Sequence, residues 1–536
     1  MVNNIAMKIQ VFYLKKSLKH KVISMIFLLS CVIIFSSHSF YNPLNLTAET
    51  NPRPYVEYIF LNGTIITLDN SNTIAEAIAI SQGKIVAVGN SEDILNNYET
   101  PGATTYDLEG RAIMPGIIDG HTHLIGSIFW YGYETLASGQ QIAMSYGYTT
   151  LNEKSIDEGQ VSILQTAEEN GTLRMRLNLF PIHNYSFLDS NNETIIVERF
   201  WPTNDPILDP NKKVRVPGIK IYADGYTGSR GLPAMTIPYT QDMLDMWRGY
   251  DPYGDLYFNQ SALNATVKAI HDKGFSVAFH VMGDWGIDTV LNAIEYALAG
   301  ADNDIARHQL EHNSFIREDQ IAKAKSLNTV HSIRGYFPTY LQKDYETIYP
   351  DEWEEWTINR YSLPSESIHS YLETDFTWST NNYVNDWRSM NINPFLHMWS
   401  LVTKEAIDIN GTLHTPDPWI AEHLLTREQA LRLMTIEGAY AVKMENYIGT
   451  LEVDKYADLI ITTDNPLTCP DDDIRNIETL LTMINGTIEY QWSGFDFPKP
   501  FSRTDTTGLF GFEITIPFTA IISLILITKK YSKKSK

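Results

Sequence analysis

Cysteine is nearly absent: of 536 residues only Cys31 and Cys469 carry a thiol, and Cys31 falls inside an apolar run. No intramolecular disulfide staples the folded body, so its stability rests on an ordinary apolar core. That excludes a small disulfide scaffold, but not life outside the cell, where large domains also fold on such cores. Positive charge is scarce too, with 41 Lys and Arg against 64 Asp and Glu, a formal net charge of −23. The lysines crowd the ends: Lys15, Lys16, Lys19 and Lys21 at one, Lys529, Lys530, Lys533, Lys534 and Lys536 at the other. The acidic middle argues against nucleic acid as a partner. No solenoid-type repeat occurs. What is present, 43% hydrophobic and 20% charged residues, is the composition of a folded globular protein. The length suits one α/β barrel, commonly about 250 residues or more, with a companion domain.

Two long apolar runs stand near the ends. Residues 22–35, VISMIFLLSCVIIF, follow a lysine cluster and precede Ser36, Ser37 and Ser39, so residues 1–39 read as a signal peptide or N-terminal anchor. Residues 510–528, FGFEITIPFTAIISLILIT, are long enough to span a bilayer; a linker, 493–509, precedes them and a basic tail, 529–536, follows. The positive tail belongs on the cytoplasmic side. Both ends then predict a body anchored at the cell membrane and facing outward. Nine Asn-x-Ser/Thr sequons, from Asn45 to Asn485, are compatible with that side.

Within the body the first period is two. VEYIFLNGTIITLD places Asn62-Gly63 between two β-rich runs, AIAISQGKIVAVG places Gln82-Gly83 likewise, and TLLTMINGTIEYQ repeats the pattern around Asn485-Gly486. Each predicts a hairpin. Residues 55–115 and 445–492 are therefore expected to complete one small β-sandwich. Between them, in 116–444, strand-like runs (GYTTLNE, TLRMRLNLFPIH, VPGIKIYADG, GFSVAFHVMGD, RHQLEHNSF) alternate with helical stretches. Strand then helix, repeated, predicts a parallel sheet, closed or doubly wound. The aromatic-rich segment 336–371 interrupts that rhythm and reads as an insertion, either a lid or a peripheral helical element.

Chemistry concentrates in histidines. His121 and His123 end the strand-like IMPGIIDGHTH, and residues two apart on a strand project to one face, so both imidazoles can reach one ion. His280 closes FSVAFH and His312 closes HQLEH, where barrel strands meet the C-terminal rim that holds a barrel's chemistry. Four histidines at three strand ends fit a divalent metal, zinc above all, one or two ions. Lys220 lies mid-strand in VPGIKIYADG, where an unpaired ammonium is costly, so it needs a partner or a modification.

With these residues the sequence resembles the amidohydrolase superfamily, in the branch of YtcJ-like proteins and N-substituted formamide deformylases. PGIIDGHTHL, KIYADGYTGSRG, AFHVMGDWGIDTVLNAIE, RHQLEHNS, EQALRLMTIEGAYAV and GTLEVDKYADLIITTDNPL carry the resemblance over about residues 55–492. It implies a TIM-type (β/α)8 barrel with the small β-sandwich. It implies His121 and His123 as metal ligands from the first strand, Lys220 as a carbamylated bridge, and His280 and His312 as ligands from the fifth and sixth. It also implies an aspartate after the eighth strand that binds metal and shuttles the proton. An ungapped alignment puts Thr380 at that position; Asp375, five residues upstream, suits it only if the strand ends earlier. Gln309 stands where the family often has arginine. The expected function is hydrolysis of a non-peptide C–N bond, amide or formamide, in a small molecule by metal-activated water. An ester or phosphoester hydrolase uses the same hardware. The alternative from another class, favoured by Thr380, is a catalytically impaired barrel that holds metal and binds a small molecule at the cell surface.

Overall fold

The structure is a computed structural model that describes residues 55–495 apart from 133, 184–185, 189–193, 197–198, 226–230, 247–250, 336–351, 378–391, 409–410 and 422–423. The apolar runs 22–35 and 510–528 and the basic tail lie outside the described residues; within them, no helix is long and apolar enough to cross a membrane.

Eight strands carry the site: β1 (Ile117–Thr122), β2 (Tyr148–Ile156), β3 (Arg176–Pro181), β4 (Gly218–Tyr222), β5 (Ser276–Val281), β6 (Gln309–His312), β7 (Val330–Ile333) and β8 (Ser370–Leu372). They form two parallel sheets, one with β3, β2 and β1 side by side and one running β4 to β8 in chain order. The sheets meet at both margins. Ile182 and Lys220 form a parallel bridge, and the His183 N–H donates to the Lys220 carbonyl at 2.8 Å. On the other side the Asp375 N–H donates to the His121 carbonyl and the His123 N–H to the Phe376 carbonyl, both at 2.9 Å.

The strands are apolar and buried because helices cover them, as parallel sheets require. Leu151, Leu177, Ile219, Val277, Phe279 and Leu310 share one apolar cluster with the helix residues Leu164, Val267, Val290 and Ile294. Against that background the polar residues of β2 stand out, since all nine of its positions are buried. Asn152 accepts a hydrogen bond from Asn178 Nδ2 at 2.9 Å. Glu153 caps helix α1 (Leu124–Tyr131), accepting the Ile125 and Gly126 N–H groups at 2.7 and 3.0 Å. Helix α2 (Asp284–Leu298) is met the same way by Asp224, whose carboxylate accepts the Gly283 N–H at 2.8 Å.

The two ends of the body are joined where Ala112–Pro115 pairs antiparallel with Leu459–Thr462 in a six-stranded sheet. A second, four-stranded sheet includes Tyr58–Leu61 and Ala77–Ser81. Phe60, Ile78 and Ile80 of the latter share an apolar cluster with Ile65, Ile113, Leu459 and Ile461 of the former. The hairpins at Gln82-Gly83 and Asn485-Gly486 are present. The one at Asn62-Gly63 is not: Tyr58–Leu61 and Thr64–Ile66 belong to different sheets. Their side chains fill the space between the sheets from both sides, and a Cβ at Gly63 would meet the Leu108 side chain at 2.2 Å. Tertiary packing thus overrides the local turn signal.

The segment 336–371 also differs from a peripheral insertion. Its described part holds helix α3 (Glu352–Asn359), with Trp353, Arg360 and Tyr361 buried, and β8 begins inside it at Ser370.

Candidate metal centre

His121 and His123 lie at the end of β1, where the strand gives way to α1 with His123 as its N-cap. Their Nε2 atoms are 3.3 Å apart. His123 Nδ1 faces the Lys154 carbonyl at 2.9 Å, and a carbonyl only accepts, so the ring proton sits on Nδ1 and leaves a lone pair on Nε2. Asp375 completes the group, its Oδ1 at 3.3 Å from His123 Nε2 and 3.6 Å from His121 Nε2. Strand β8 ends at Leu372, and Asp375, at φ 51°, turns the chain toward β1. Short polar side chains such as aspartate tolerate that left-handed conformation best after glycine. Thr380 lies outside the described residues.

A second group shares His121. Its Nδ1 stands 3.6 Å from Glu311 Oε2 and 3.5 Å from Glu373 Oε2. His121, Glu311 and His312 form a further set of donors able to hold a metal ion. His312, at φ 73°, ends β6 sharply; its Nδ1 meets Glu373 Oε1 at 3.1 Å while its N–H donates to Ser332 Oγ at 2.7 Å. His280, at the end of β5, sits edge-on to His312 with ring centroids 4.6 Å apart, outside both donor groups. Lys220 points to the same centre and hydrogen-bonds Glu311 Oε2. The structure thus brings together His121, His123, His312, Lys220 and Asp375, with His280 alongside.

The electrostatics follow from crowding in a dry interior. Burial, reinforced by the Lys220 charge, holds the His121 imidazole well below the ordinary histidine range. Burial, the neighbouring His312 and Lys220 do the same to His280. Lys220 itself is pushed well down by burial and by Lys154. For Glu373, burial pulls upward, but His312, His121 and Arg334 outweigh it and keep the carboxyl well below its usual range. Asp375 is held low in the same way, by Arg334 and the two β1 histidines against burial. Arg334, just past β7, hydrogen-bonds the outer oxygen of Asp375 and so leaves Oδ1 turned to the histidines.

Four contributors escaped the sequence reading. Glu311 adjoins His312, Glu373 lies two residues before Asp375, Arg334 follows β7, and Lys154 is a second lysine inside an apolar strand. For Lys154 the signal was available, since TTLNEKSI places a lysine inside an apolar strand just as VPGIKIYADG does Lys220. Gln309 ties Lys154 to the interior, its Oε1 accepting from Lys154 Nζ at 3.4 Å and its Nε2 donating to the Ala441 carbonyl at 2.7 Å.

The donor spacing tests whether an ion fits. Ligands about 2.0–2.1 Å from a tetrahedral ion stand about 3.4 Å from one another. The His121, His123 and Asp375 atoms form a triangle with edges of 3.3, 3.3 and 3.6 Å, which matches.

Comparison with known proteins points the same way. Residues 133–490 match the amidohydrolase family. The chain is 21% identical to the protein LONG AFTER FAR-RED 3 of Arabidopsis thaliana, over 76% of this chain and 87% of that one. It is 22% identical to an N-substituted formamide deformylase of Arthrobacter pascens, over 73% of this chain and 68% of the relative. An uncharacterized metal-dependent hydrolase from Pyrococcus furiosus shares the fold, with a TM-score of 0.59 at 19% identity, covering 77% of this chain and all of that one.

Proposed function

The chain belongs to the amidohydrolase family, metal-dependent hydrolases of C–N bonds, and from that premise we propose that it hydrolyses an amide or formamide of a small molecule at the His121–His123–Asp375 centre. The observation that carries this reading is the donor triangle, whose edges suit one zinc-sized ion. A divalent metal bound there supplies Lewis acidity toward a carbonyl oxygen and activation of water. The chain's residues do the rest. Asp375 takes up and returns the proton at Oδ1, with Arg334 holding its other oxygen. Glu373 orients His312, and the Lys154 carbonyl orients His123. His312, His280 and Lys220 serve a second ion, with Lys220 as the residue we assign to carry a carbamate, since burial keeps its amine toward the neutral form that reacts with carbon dioxide. The likeness to a formamide deformylase supports N-substituted formamides as the first substrates to try.

The architecture belongs to the same reading. Parallel sheets that meet at both margins support one closed (β/α)8 barrel spanning 116–444, and the two sheets that share an apolar cluster support a β-sandwich from 55–115 and 445–492. Lysines beside both terminal apolar runs support a body displayed outside the cell membrane. Protease added to intact cells should digest it; full protection, with a permeabilised control cut, would reverse that orientation.

Metal analysis of the purified protein tests the centre. One or two ions per chain are expected, lost in His121→Ala/His123→Ala. A metal-supplied parent that retains none, or a double variant that binds as well as the parent, contradicts it. A loaded protein inert toward a broad panel of amides and formamides would favour the binding protein over the enzyme.

A further inference from the structure

Lys154 touches both halves of the centre from outside the donor groups. It is wholly buried near the end of β2. Its carbonyl meets His123 Nδ1 at 2.9 Å, while its Nζ stands 3.1 Å from Glu311 Oε1 and 3.3 Å from the centroid of the Phe180 ring. Lys220 takes the other oxygen of Glu311, so one carboxylate is shared between two buried lysine nitrogens. The local backbone is built for this. Ser155 follows at φ 62°, and the register shifts there from Lys154↔Phe180 to Ile156↔Pro181, a bulge in β2. Bulges beside functional sites re-aim side chains, and a non-glycine residue in the left-handed region persists only where its surroundings hold it. Ser155 Oγ is tied to Tyr222 Oη at 3.0 Å.

We propose that Lys154 is a positioning residue that couples the two arms of the metal centre, fixing the His123 tautomer through its carbonyl and the orientation of Glu311 through its Nζ. The proposal rests on the metal-centre reading above. A lysine placed there only to pack would not need a carboxylate, and removing its amine would leave Glu311 held from one side. Glu311 is then free to turn toward Lys220 and away from His121 and His312, which weakens the hold on an ion. Loss of such supporting contacts typically lowers metal affinity about 10–100-fold.

The test is zinc affinity, measured on the full chain by competition with a chromophoric chelator, together with thermal unfolding. Lys154→Met should bind zinc about 10–100-fold more weakly while remaining folded. In a Glu311→Gln background the same substitution should cost much less, because the carboxylate it positions is gone. A folded Lys154→Met with the parent's affinity, or an equal loss in both backgrounds, overturns the proposal. If Lys154→Met does not fold, Lys154→Gln is read by the same criteria; if neither folds, Lys154 serves the core and the proposal fails. A parent that binds no zinc instead overturns the metal centre itself, a distinct result.

Discussion

Two groups of histidines lie in and beside this set of parallel strands, and they are held in opposite ways. At the C-terminal ends, His121, His123 and His312 face Asp375, Glu311 and Glu373. His271 and His308, by contrast, face each other at 3.1 Å, with His308 Nδ1 accepting the Val277 N–H at 3.0 Å. His331 is held between Thr329 Oγ1 at 2.8 Å and Asn313 Oδ1 at 3.1 Å. Neutral partners satisfy this second group. Both donor groups fit for a metal, among the described residues, are built on His121. The contrast teaches that burial and histidine content do not mark a metal site; facing carboxylates do.

The sharpest break between the groups should come from Asp375→Asn, which keeps the shape of the rim and removes its base. Turnover should fall about 10²- to 10⁴-fold, whereas Thr380→Asp should leave it at the parent level. A gain in Thr380→Asp with indifference to Asp375→Asn would move the proton-handling residue to position 380.

Smaller, and confined to the rim, is the effect of Glu373→Gln, which weakens the hold on His312. Zinc affinity should drop about 10–100-fold with the fold intact. His308→Leu should do the reverse. It leaves the Val277 N–H without its acceptor inside β5, a loss of about 1–3 kcal/mol in denaturant unfolding, with zinc content unchanged. Should His308→Leu shed zinc while Glu373→Gln keeps it, the roles assigned to the two groups are exchanged.

The last effect is a slope in pH. Burial pushes His308 and His331 down to about 3 and His183 down to about 4. Unfolded histidines protonate near 6.5, so below that pH the unfolded chain binds protons that these folded rings refuse. Their contribution to stability is present above pH 6.5 and is lost as pH falls toward 3. Melting temperatures recorded from about pH 7.5 down to 4.5 should decline across that window; a flat profile would mean these rings accept protons in place.

Much of the centre was legible in the sequence because strand ends are. His121, His123, His280 and His312 each close an apolar run, and Lys220 violates one. Asp375 was ambiguous for a physical reason. Nothing local marks where a three-residue strand such as β8 stops, and the position of the aspartate follows from its pairing with β7 and from the turn toward β1. Glu311 and Glu373 were illegible as a pair because their relation to His121 and His312 exists only once β1, β6 and β8 converge. The Asn62-Gly63 turn failed in the same sense: the local signal was right about the turn and silent about which sheet the chain entered next.

The account stands most directly on where an ion binds. Crystals of the protein loaded with zinc, with data collected at the zinc absorption edge, would locate it by anomalous scattering. The expected result is a peak about 2.0–2.2 Å from His121 Nε2, His123 Nε2 and Asp375 Oδ1. A peak at the His271–His308 pair, or none at the rim with zinc in excess, would contradict the account.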